Sequence, residues 1–199
     1  MRRYLKAAAV LAAVALVATT AWLFVVPEPT PAEDSPEAGF ARDMNVHHGQ
    51  AVAMSMYVYR NGSDSRMRDL AYDIALTQQA QIGMMSGWLD EWGLPPTSTE
   101  PPMSWMDHNM PIPDDGLMPG MATQDQLGEL YAAKGSEADA IYSELMITHH
   151  EYGIHMAKAI RDRTDLPRVD DLAESMVKGQ RSEIKALEQY GDRDVADEG

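Results

Sequence analysis

The sequence predicts an all-α protein, a four-helix bundle made of two repeated helical hairpins behind an N-terminal transmembrane helix. Three observations carry the prediction. Helix start and stop signals bracket long stretches with apolar residues at helical spacing; a shift of 102 residues lays the second half of the chain on the first; and residues 7–26, AAAVLAAVALVATTAWLFVV, hold no charge.

Residues 1–6 carry Arg2, Arg3 and Lys6, and no Lys or Arg follows until Arg42. A helix over 7–26 covers roughly 30 Å, enough to cross a bilayer. The positive-inside bias keeps the N-terminus cytoplasmic and exports the rest. A single-pass anchor is expected, with a cleaved signal peptide and a secreted domain as the alternative. Residues 27–36 contain four prolines and read as an extended linker.

The helical domain is expected over 37–190, with repeats at about 37–92 and 136–190. Ser35-Pro36-Glu37 has an N-cap residue, a proline at the first helical position and an acid in the first turn. That helix should end near Asn61-Gly62. The next begins at Ser63 or Asp64 and stops before Gly93 and Pro95-Pro96. The Pro-, Met- and Gly-rich stretch 93–122 reads as a crossover. Thr123 to Gln126 forms a capping box for a short helix, and Ser136 to Asp139 resembles a cap for a long helix to about Asp162. Pro167 opens the last helix, expected to fade near Tyr190-Gly191 into an acidic tail, 191–199.

Sixteen basic and 31 acidic residues give a net charge of −15. Removing the three basic residues of the stub leaves 13 − 31 = −18 beyond the apolar segment. Such a charge excludes nucleic acid as a partner. The chain has no cysteine, so disulfides and a lipidated cysteine are excluded too.

The repeat carries the chemistry. It places Met44, His47, His48 and Met54 on Met146, His149, His150 and Met156, and Gln78 on Gln180. On a helix Met146, His149, Gly153 and Met156 fall within an arc of about 80°, with His150 on the flank. Met44, His47, Ala51 and Met54 do the same. Two such stripes face to face offer thioethers and imidazoles to one ion. Thioether sulfur binds Cu(I) well and Mg²⁺ or Ca²⁺ poorly, whereas imidazole suits both copper states, so a copper ion is the expected ligand. Met103, Met106, His108, Met110, Met118 and Met121 add soft donors in the crossover, either as ligands or as an apolar cover. Ordinary imidazole, with a pKa near 6.5, would lose metal as pH falls through about 6.

Enzyme signatures fail. His150 and His155 are five apart, one too many for a zincin helix, and no Glu lies three residues before a His as a ferritin-like di-iron centre requires. A binding protein is expected rather than an enzyme, with a metal-free helical scaffold or an uncharacterised ferritin-like enzyme as alternatives.

Phe40 to Met44, His47 to Met54, Met118-Pro-Gly-Met121 and the second His-His helix together resemble the bacterial family catalogued as domain of unknown function 305. The resemblance covers about 40–190. It implies a ferritin-like fold and a role in copper binding or tolerance outside the cytoplasm. It also implies ligand roles for His47, His48, Met54, His149, His150 and Met156, and for Met118 and Met121 of the crossover. Gln81 stands where the family usually has Glu, and Leu187 where Met is common.

Overall fold

The computed structural model describes residues 30–106 and 116–197, with side-chain surroundings through Tyr190. The stub 1–6, the segment 7–26, residues 27–29 of the linker, His108 and Met110 lie outside the described residues. Among those described, no helix is long and apolar enough to cross a membrane. There are five helices and no strand among them: α1 (Pro36–Asn61), α2 (Ser65–Glu91), α3 (Gln124–Ala132), α4 (Gly135–Arg161) and α5 (Pro167–Asp197).

Local chemistry sets most boundaries. Ser35 Oγ accepts from Ala38 N–H at 3.2 Å, with Pro36 at the first helical position, and starts α1. Asp64 accepts from Arg66 and Met67 N–H at 2.8 and 2.9 Å and starts α2. Gly93, at φ 69°, turns the chain so that Leu94 N–H reaches the Leu89 carbonyl at 2.8 Å and closes α2. Thr123 and Gln126 form the expected reciprocal capping box of α3.

Two expectations are corrected. Ser136 does not cap α4, which starts at Gly135 without a side-chain cap. The chain has already turned into the helix at Gly135, so Ser136 to Asp139 belong to its first turns. The last helix also runs on to Asp197 instead of giving way to a tail at Gly191. Gly191 and the aspartates that follow it are weak helix formers but do not end a helix already formed.

α1 pairs with α2 and α4 with α5 as hairpins, and the hairpins meet chiefly through α1 and α4. The core divides in two. One cluster gathers Met44, Met85, Trp88, Met156, Ile160 and Met176. The other gathers Met54, Val58, Ile74, Tyr142, Met146 and Leu187. Met44 shares a cluster with Met156 and Met54 with Met146, so α1 and α4 run antiparallel. Between the two clusters lie the histidines.

Candidate metal centre

His47, His48, His149 and His150 are fully buried. The rings of His47 and His149 overlap, with centroids 3.7 Å apart and planes tilted by 31°. Small residues make room, since Ala51 and Gly153 are buried at the matching places on α1 and α4. A Cβ on Gly153 would come within 2.6 Å of Gln180 Oε1, so the Gln180 amide occupies the space above that glycine.

Three rings have an oxygen beside Nε2. Nε2–H of His149 donates to the His47 carbonyl at 3.0 Å. His48 Nε2 lies 2.7 Å from Gln81 Oε1, which can only accept. His150 Nε2 lies 2.8 Å from a Glu183 carboxylate oxygen, without the geometry of a hydrogen bond. In His48 and His149 the lone pair is left on Nδ1, and no Nδ1 of these three rings has a hydrogen-bond partner among the described residues. An oxygen behind one imidazole nitrogen fixes the tautomer that makes the other a metal ligand.

Further polar atoms in the core lack protein partners: both ring nitrogens of His47 and both amide atoms of Gln78 and of Gln180. The two glutamines are 2% and 3% exposed. Burial holds the His47 and His149 pKa values well below the ordinary imidazole range, helped by the neighbouring histidines. It brings His48 down to about 4, against the opposing hydrogen bond to Gln81. The layer is therefore uncharged in these three rings at neutral pH, the form that binds metal.

The methionines are placed differently from the histidines. Met44 and Met156 lie in one apolar cluster, Met54 and Met146 in the other. Met118 is buried in the Met44 cluster with Met103, while Met106 and Met121 pack at its edge. Asp43 fastens this part of the crossover to α1 by accepting from Met103 N–H at 2.7 Å and Trp105 Nε1–H at 2.8 Å. Among the described residues, no group of three His, Asp or Glu side chains is placed to hold a metal ion.

The sequence singled out the histidines, and Gln81 only as a departure from the family pattern; Glu183 was missed. Gln81 and Glu183 are related by the same 102-residue shift that relates the histidines they touch, and that shift is the signal that finds them.

A family model described as "Domain of unknown function (DUF305)" matches residues 37–191. A DUF305 protein from Streptomyces coelicolor, described as secreted, is 48% identical with a TM-score of 0.73, covering 78% of this chain and 91% of that one. CopM in its Cu(II)-bound form is 23% identical with a TM-score of 0.65, covering 80% and 97%. CopM has also been solved with Cu(I) and with silver. The chain spans about a third of a curated relative, protein L153 of Acanthamoeba polyphaga mimivirus, with 36% identity over 52 residues and 34% of that protein covered. With the family model spanning most of its length, this chain belongs to the DUF305 family.

Proposed function

We propose that the protein is an extracytoplasmic metal-binding protein that sequesters or hands on copper through the buried histidine layer. The observation that carries the reading is the set of buried, unpartnered Nδ1 atoms of His48, His149 and His150, each ring backed by an oxygen near Nε2. His47, stacked on His149 with both nitrogens unpartnered, completes the donor set. Binding requires these rings to turn within the layer. The orphaned amides of Gln78 and Gln180 stand to hydrogen-bond water or ligand there.

Met44 and Met146 each lie one helical turn before a histidine, about 4.5 Å along the axis, and Met54 and Met156 lie further along the same stripes. Their thioethers supply the soft donors that favour Cu(I) and Ag(I) over Mg²⁺ or Ca²⁺. The CopM structures with copper and silver support a metal-binding reading of this fold. The N-terminal apolar segment with Arg2, Arg3 and Lys6, and the secreted description of the Streptomyces relative, support export. The role is binding rather than turnover.

The test is a titration of the domain from Pro31 onward with Cu(I) and with Cu(II), each buffered by a competing chelator, alongside His47→Ala/His149→Ala. The wild type should bind and the double variant should lose at least about a hundredfold in affinity, roughly 2.7 kcal/mol. Met84→Ala, on an exposed position, should change nothing. Equal losses in the two variants would refute the site.

A further inference from the structure

Because the hairpins are repeats, the outer surface of the second is an internal control for the first. The outside of α4 and α5 carries Glu151, Lys158, Lys178, Arg181, Lys185 and Glu188. Shifted by 102 residues, the matching positions on α1 and α2 are Gly49, Met56, Leu76, Gln79, Gly83 and Ser86. No Asp, Glu, Lys or Arg occurs from Met44 to Tyr59 or from Ile74 to Leu89, in a chain that is 24% charged. Where Lys178 and Glu174 pair at 2.8 Å on α5, α2 has Leu76 and Tyr72, 52% and 40% exposed.

These residues form one face. Asn45 Nδ2–H donates to Ser86 Oγ at 3.2 Å near one end, and the rings of Tyr59 and Tyr72 meet at 5.0 Å near the other. The fourteen-residue span from Asn45 to Tyr59 is roughly 21 Å long. Two helices side by side are about 20 Å wide, so the face covers on the order of 400 Å². Glycine is among the poorest helix formers, yet Gly49, Gly83 and Gly87 sit inside helices where an added Cβ would meet nothing within 4 Å. The fold of the single chain does not use these gaps.

We propose that the uncharged face of the α1–α2 hairpin is the contact surface for a second copy of this chain in a two-fold dimer. Charge selects the occupant. A partner drawn by electrostatics would dock on the acidic remainder of the molecule, whereas two strongly acidic copies can meet without burying charge only where neither carries any. Shape agrees, because Leu76 and Met84 protrude from the same patch that Gly49, Gly83 and Gly87 recess, as a self-complementary contact requires. A buried total on the order of 800 Å² belongs to weak, reversible association.

Sedimentation equilibrium of the chain from Pro31 onward, a compact unit that contains both core clusters, tests this from micromolar to near-millimolar concentration. The wild type should show a monomer–dimer equilibrium that tightens as salt screens the net charge. Leu76→Lys/Gly83→Lys, which installs the residues the second hairpin carries at those places, should weaken it at least about tenfold, with helicity and thermal midpoint retained. A monomer at every concentration would overturn the proposal, as would a dimer that survives the double substitution or monomers that bind uncharged phosphatidylcholine vesicles instead.

Discussion

Burial costs His47, His48 and His149 their protonated forms, and this decides how acid acts on the protein. Their native pKa values lie below the unfolded value near 6.5, so below that pH the unfolded chain takes up protons that the native chain does not. Stability is therefore undiminished above about pH 6.5 and falls with pH down to the native pKa, about 4 for His48. Thermal melts of the metal-free domain at stepped pH should show the midpoint dropping across that window; a flat profile would mean that the rings are not buried neutral. With copper held as proposed, proton competition should begin well below the pH near 6 expected of ordinary imidazole. Gln81→Leu or Glu183→Leu removes the acceptor behind His48 or His150 and should weaken copper binding about 10- to 100-fold, while Glu174→Gln, paired with Lys178 on the surface, leaves it unchanged. Chelator competition measures both.

Among the elements, starts set by local caps were legible, because a cap and its N–H groups lie two or three residues apart, as at Ser35, Asp64 and Thr123. Asp139 was not legible. Its Oδ2 accepts from Ser63 N–H and Oγ–H and from Asp64 N–H at 2.9–3.0 Å, partners 75 and 76 residues away. This buried carboxylate ties the α1–α2 turn to α4, with Gly62 packed directly on it. Asp139→Ala should cost about 2 kcal/mol, since three hydrogen bonds to a buried carboxylate are lost. Ser136→Ala, at the position that resembled a cap, should cost little. Urea unfolding of the two variants compares them, and equal midpoints would contradict the assignment. Helical spacing likewise showed that methionines and histidines share a face. It did not show that the methionines fall into separate clusters above and below the histidines, which depends on how α1 crosses α4.

Taken whole, the molecule is a duplicated hairpin whose two apolar clusters sandwich a layer of imidazoles and amides. Each buried polar atom without a partner costs about 1–3 kcal/mol, so an occupant that satisfies them stabilises the fold. Copper at a hundred times its dissociation constant should raise stability by about 2.7 kcal/mol, read as a higher thermal midpoint that His47→Ala/His149→Ala abolishes. The repeat, the bundle and the histidine layer could all be read from the duplicated His-His pairs. The direction of the His48 and His149 protons could not, because it is set by Gln81 and the His47 carbonyl across helix contacts. That direction is the centre of the account, and imidazole ¹⁵N resonances report it directly. In the metal-free domain, His48 and His149 should show the proton on Nε2. Adding one equivalent of diamagnetic Ag(I) or Cu(I) should then shift their Nδ1 resonances while Nε2 keeps its proton. If the ion binds and these Nδ1 resonances stay where they were, the histidine layer is not the metal site.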